Sequence, residues 1–304
     1  MEKRELTINV IGAAQTAGCG RDGAQYGPTA LRAEGLVDRL KSLGLAVKDT
    51  GDGYNNKTIP TDSNSRLKNI EQINEFSQRL CDVVYNSLQL GEFPLVIGGD
   101  HSLGIGSVCG ASQAFGADNL AVIWVDAHTD INTQETSPTG NVHGMSLASL
   151  LGYGEKALAN ICGSVPKIKP QNIIYIGSRD IDAGEQEIIE REGISVFGMK
   201  EIVRDGVKEV SRRLQKRLND LHVSNIYLSI DIDVIDPQIA PGTGVPVPDG
   251  MTPEQLYKLL NVIMGTKIVK GAELVEVNPL IDHTDKRTTL LALDIIEYLA
   301  SRLG

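Results

Sequence analysis

Four short segments place costly polar groups at the ends of apolar runs. "VIWVDAHTD" (122–130) carries Asp126, His128 and Asp130, and "YLSIDIDVIDP" (227–237) carries Asp231 and Asp233. "FPLVIGGDHS" (93–102) delivers Asp100 and His101, and "GAELVEVNP" (271–279) reaches Glu276. Side chains alternate faces along a strand, so residues at i, i+2 and i+4 project to one side if strand geometry persists that far. A buried carboxylate without a partner is expensive; it must meet a cation, a base or a metal, or else face water. A solvated strand-to-loop turn would account for any one segment. For all four it requires four coincidences.

His101, Asp126, His128, Asp130, Asp231 and Asp233 supply two imidazoles and four carboxylates, more than one metal ion normally takes. Two divalent ions match this inventory. Four carboxylates cancel their charge and leave a site able to bind hydroxide, and carboxylate-rich ligation favours Mn(II) over zinc. Two such ions can share a water, lower its pKa and aim the resulting hydroxide at an electrophile. The chemistry expected is metal-assisted hydrolysis.

Elements must bring these segments together. Short continuous apolar runs at 6–13, 44–51, 93–99, 120–128, 172–178, 193–199, 225–233 and 271–277 read as strands covered on both faces, hence a parallel sheet. Helical periods fall near 28–42, 66–90, 102–115, 144–152, 183–191, 206–221, 253–264 and 285–302. In such a sheet the carboxyl ends of all strands lie along one edge, where open α/β folds place their ligands. Polar stretches at 51–66 and 131–141 interrupt the alternation, which resumes unchanged after each, so residues 1–304 are expected to form a single catalytic domain.

Composition narrows the partners. A formal charge of −10, spread along the chain without a Lys/Arg cluster, argues against nucleic acid and anionic membranes and suits a cationic substrate. The four cysteines are far apart with no C-x-x-C, and are expected to be reduced, buried thiols. No run approaches the ~18 apolar residues of a membrane span, and the first residues lack the apolar core of a signal peptide. A cytoplasmic location is expected.

"GGDHS", "DAHTDIN", "GNVHG", "SIDIDVIDP" and "EVNP", in this order and at these separations, resemble the ureohydrolase family, and most specifically its arginase branch. The resemblance begins at "GRDGAQYGPTALRAEGL" (20–36) and runs to the last helix. It implies a three-layer α/β fold with a central eight-stranded parallel sheet and helices on both faces, and two Mn(II) ions per chain. By this resemblance one ion takes His101, Asp126, Asp130 and Asp231. The other takes His128, Asp126, Asp231 and Asp233, so that Asp126 and Asp231 bridge. The implied reaction is hydrolysis of L-arginine to L-ornithine and urea by a hydroxide bridging the ions. Asp130 would pass a proton to the departing amine, Glu276 would hold the guanidinium group, and His143 would shuttle protons to solvent.

Relatives acting on agmatine, guanidinobutyrate or formiminoglutamate share the metal ligands and differ at the far end of the substrate. Asn132, Thr139 and Asn141 match the positions that grip the arginine α-carboxylate, and Asp182 and Glu185 those that receive its α-ammonium. Turn chemistry and helix capping are the structural alternatives for these five. The chain departs from the family at Val245, where arginases usually have threonine, at Thr139 for serine, and at Asp249 for glycine. The resemblance further implies a homo-oligomer, trimer or hexamer. Competing functions are another ureohydrolase of the agmatinase or guanidinobutyrase type, a single-zinc deacetylase-like amidohydrolase, and a catalytically silent regulatory member. The deacetylase reading needs an adjacent His-His pair that is lacking here, and a silent member typically loses ligands that this chain retains.

Overall fold

The computed structural model describes residues 6–52, 67–163 and 165–303. Most of the polar stretch 51–66 lies outside them. Eight strands form one parallel sheet: β1 (Thr7–Ala13), β2 (Ala46–Asp52), β3 (Phe93–Gly98), β4 (Leu120–Val125), β5 (Ile173–Ile176), β6 (Ser195–Phe197), β7 (Asn225–Asp231) and β8 (Val269–Val275). The spatial order is β2-β1-β3-β8-β7-β4-β5-β6. The strands that carry the four polar segments, β3, β8, β7 and β4, are therefore neighbours in the middle of the sheet. Register keeps their ends level: Ile97 pairs with Leu274, Asp231 with Val275, and Val125 with Ile230. The sheet order reverses here, because β7 and β8 insert between β3 and β4, and a crevice opens at such a point.

Helices cover both faces. In β4, Ile123 and Val125 pack on one face with Leu228, Ile230 and Leu274, against Leu214, Leu259 and Leu293. Val122 and Trp124 point the other way, to Tyr175 and Tyr227, against Phe76, Val108 and Leu147. A strand buried on both sides needs apolar residues at every position, which is why the runs are continuous. The helices of the first face include α2 (Leu36–Ser42), α9 (Val207–Asn219), α10 (Pro253–Gly265) and α11 (Arg287–Ala300). Those of the second include α3 (Ile70–Gln89), α4 (Gly104–Phe115), α5 (Ser146–Leu151) and α7 (Ala183–Glu192).

The helix expected over 28–42 is two, α1 (Gly27–Ala33) and α2, because Gly35 takes φ 90 between them, a conformation that ends a right-handed helix. Two short helices, α6 (Lys156–Ala159) and α8 (Met199–Asp205), were not expected; each is too brief to show a periodic stripe. Asp249 has φ 62, which explains why glycine also suits that position.

Candidate active site

Each ligand candidate sits at or just past the carboxyl end of a central strand. His101 opens a 3₁₀ turn (His101–Leu103) after β3, and Asp100 caps that turn by accepting the Ser102 N–H at 2.9 Å. The other oxygen of Asp100 accepts the Gly18 N–H at 2.9 Å, tying the glycine-rich N-terminal segment to the site. Asp126 and Asp231 repeat this device, accepting the N–H groups of His128 and Asp233 at 2.7 and 2.8 Å. These local bonds turn the chain sharply and aim successive side chains inward.

The six candidates converge. His101 Nδ1 lies 2.9, 3.1 and 3.2 Å from carboxylate oxygens of Asp126, Asp130 and Asp231. His128 Nδ1 lies 3.4 Å from Asp126 and 3.1 Å from Asp233. Two groups able to hold a metal result, His101 with Asp126 and Asp231, and Asp126 with His128 and Asp233. Asp126 belongs to both. Asp231 belongs to the first alone.

Carboxylates packed this closely call for positive charge among them. His101 Nε2 meets Ser229 Oγ at 2.7 Å, and that hydroxyl donates to Glu273 Oε1 at 2.8 Å. With the hydroxyl proton spent on Glu273, Nε2 carries a hydrogen, and Nδ1 is the nitrogen turned to three carboxylates, whose pull outweighs burial and pushes the imidazole well up. Nδ1 is buried and has no hydrogen-bond partner. Burial and mutual repulsion push Asp130, Asp231 and Asp233 up, Asp233 to about 6. Burial also works on Asp126, but its contacts with His101 and His128 outweigh it and hold the group low. A divalent cation in each group would relieve both the orphaned nitrogen and the repulsion, and the donor set fits a hard ion.

Several supporting residues had no motif to mark them. Trp124 stacks on His101 with ring centroids 4.0 Å apart and donates to Asp126 Oδ2 at 3.1 Å. Glu273, fully buried, also accepts from Ser107 and from Tyr227. Arg179 donates to the carbonyls of Asp233, Val234, Val247 and Pro248, clamping the loop after β7. The available signal was a serine and a glutamate inside otherwise apolar strands.

Beside the candidate metal groups, Glu276 takes φ 63 and accepts the His101 N–H at 2.9 Å through Oε1. His143 Nδ1 lies 3.2 Å from the same oxygen. Burial works to neutralise His143, but the bond and charge of Glu276 outweigh it, holding the imidazole up at about 9. Glu276 Oε2 is buried without a partner.

A cleft of about 220 Å³ opens from His128, Asp130 and His143 toward Asn132, Thr139, Asn141, Asp182, Glu185 and Val245. All five residues expected at the amino-acid end of a substrate line it, and several also do structural work. Asp182 is the N-cap of α7 and accepts from Asn132 Nδ2 at 2.8 Å. Glu185, pushed up to about 7 by burial, accepts the N–H groups of Ile131 and Asp182, both at 3.0 Å. Thr139 accepts the Asn141 N–H, and Asn141 Oδ1 accepts from Lys68 at 3.0 Å. The cleft thus combines acceptors near α7 with amide and hydroxyl groups on the 131–141 loop.

A parallel α/β sheet with paired carboxylate–imidazole groups at its carboxyl edge fits a hydrolase with a metal-binding centre. The family model "Arginase family" matches residues 6–301, and the chain belongs to that family. It is 40% identical over 300 residues to the arginase of Bacillus subtilis (strain 168), covering 98% of this chain and 99% of that one. The native Bacillus caldovelox arginase structure matches with a TM-score of 0.91 at 37% identity, covering 99% and 98% of the two chains. The Entamoeba histolytica arginase in complex with L-ornithine matches with a TM-score of 0.88 at 32% identity over 98% and 99%.

Proposed function

We propose that this chain is an arginase that hydrolyses L-arginine to L-ornithine and urea. The observation that carries the reading is the pair of His/carboxylate groups sharing Asp126, with the unpartnered Glu276 carboxylate oxygen beside them. By the family resemblance His101, Asp126, Asp130 and Asp231 would hold one Mn(II) ion, and Asp126, His128, Asp231 and Asp233 a second, with Asp231 reaching the second from the group it shares with His101. Bound there, the ions supply a strong nucleophile from water at neutral pH.

The protein groups do the rest. A guanidinium carbon is deactivated by resonance, so the planar cation must be held face-on and still; Glu276 orients it through a charge-assisted bond from an N–H to Oε2. Asp130, beside His101 at the inner end of the cleft, is placed to pass a proton to the departing amine. His143, partly exposed and bonded to Glu276, is placed to exchange protons with solvent. Asn132, Thr139 and Asn141 offer donors to the α-carboxylate. Asp182 offers the α-ammonium an acceptor, and Glu185 braces both Asp182 and the loop at Ile131.

The test is chelation followed by metal add-back, with metal content measured on active protein. Urea release should vanish on chelation and return best with Mn(II), because the donor set contains no thiolate. One zinc per chain and no manganese in active protein would overturn the assignment.

A further inference from the structure

Cys19 is the thiol that does not match the expectation of burial. Cys81, Cys109 and Cys162 are buried, whereas Cys19 is only partly so. Its Sγ, a ring nitrogen of His143 and a carboxylate oxygen of Glu276 all lie within 4.8 Å of one another. Two further observations show that these atoms share a space. Glu276 is 3% exposed, and its Oε1 is engaged by His101 and His143 while Oε2 has no partner. A Cβ built on Gly244 would stand 3.2 Å from that Oε2 and 3.5 Å from Cys19 Sγ, so the missing side chain leaves both atoms open to the same small volume.

A thiol, an imidazole and a carboxylate at this spacing form a donor set unlike that of the paired groups next door. The carboxylate–imidazole groups suit a hard ion; adding a thiolate shifts preference to Zn(II) or Cd(II). We propose that Cys19, His143 and Glu276 form a separate site for one thiophilic divalent cation, and that its occupation blocks the guanidinium end of the cleft. Binding forms a sulfur–metal bond as the Cys19 S–H proton leaves to solvent, and His143 binds through a neutral nitrogen after releasing its own proton. No change of oxidation state is involved. Burial, with Glu276 and Asp100 nearby, pushes the free thiol up, and the charge of a dication reverses that balance. The site depends on the arginase reading only for what the ion blocks.

The experiment titrates Cd(II), whose thiolate complexes absorb in the ultraviolet, into manganese-loaded wild type, Cys19→Ser and Cys19→Ala, with manganese content measured before and after. Wild type is expected to show the thiolate band at about one equivalent and to keep its manganese, and both variants to lack the band. In parallel, the Zn(II) concentration that halves urea release should rise at least about tenfold in the variants, the least expected on losing a direct ligand. A band of equal size in either variant would place the ion on the buried thiols. Manganese lost as cadmium binds, or equal Zn(II) sensitivity in all three proteins, would place it at the paired groups. Each of these results overturns the proposal. A Cys19-dependent band in protein that releases no urea from arginine upholds the site and defeats the arginase reading instead.

Discussion

At the scale of single residues, Asp126 carries the most, because it belongs to both carboxylate–imidazole groups. Asp126→Ala is expected to lose nearly all bound metal and all urea release, whereas His101→Ala should keep part of its metal and recover partly at high Mn(II). Elemental analysis with a rate assay checks both, and wild-type metal content in Asp126→Ala would move the site elsewhere. The six candidates were legible because a carboxylate or imidazole at the end of a buried strand demands a partner. Ser229 and Glu273 were not, because a polar residue inside an apolar strand declares its partner only when the neighbouring strand is known. Their bond to His101 gives a second prediction: Ser229→Ala should weaken metal affinity by roughly 10–100-fold while leaving the ligands in place. Unchanged Mn(II) affinity by titration would show that Ser229 does not orient His101.

At the scale of elements, the site depends on how closely backbones approach at the carboxyl edge. Gly99 follows β3, and a Cβ there would lie 1.8 Å from the Gln15 carbonyl oxygen. The Gln15 carbonyl accepts from Asp100 and the Gly99 carbonyl accepts from Glu276, so strain at this point reaches both His101 and Glu276. Gly99→Ala is expected to destabilise by about 3 kcal/mol and to lose activity at temperatures where it is still folded, as followed by denaturant unfolding and urea release. Strand positions were readable from continuous apolar runs, and the parallel arrangement from their alternation with helices. Strand order was not: nothing local in β7 or β8 says that they insert between β3 and β4. That insertion is the step that makes four separate motifs into one site.

At the scale of the whole molecule, a net charge of −10 and a cleft lined by Asp130, Asp180, Asp182 and Glu185 both favour a cationic substrate. Stability should also follow pH through His143. Its pKa is raised from 6.5 to about 9, so its contribution is fully present below pH 6.5 and is lost as pH rises through about 9. The Tm advantage of wild type over His143→Gln should therefore shrink between pH 6.5 and pH 9 in thermal melts, and a growing advantage would contradict the pairing with Glu276. On the arginase reading proposed above, substrate identity is decided at the far end of the cleft, where Val245, exposed at its rim, departs from the family pattern. Asp182→Ala should reduce arginine use while leaving agmatine use nearly unchanged, and Glu276→Ala should depress every guanidino substrate.

The most direct measurement is kcat/KM for urea release from L-arginine and from agmatine, side by side, by the manganese-loaded protein. A site that offers partners to both the α-carboxylate and the α-ammonium rejects an analogue that leaves its groups unpaired, by up to on the order of 10⁴-fold. Arginine is predicted to exceed agmatine by a large factor approaching that value. Agmatine turning over as well as arginine would contradict the account.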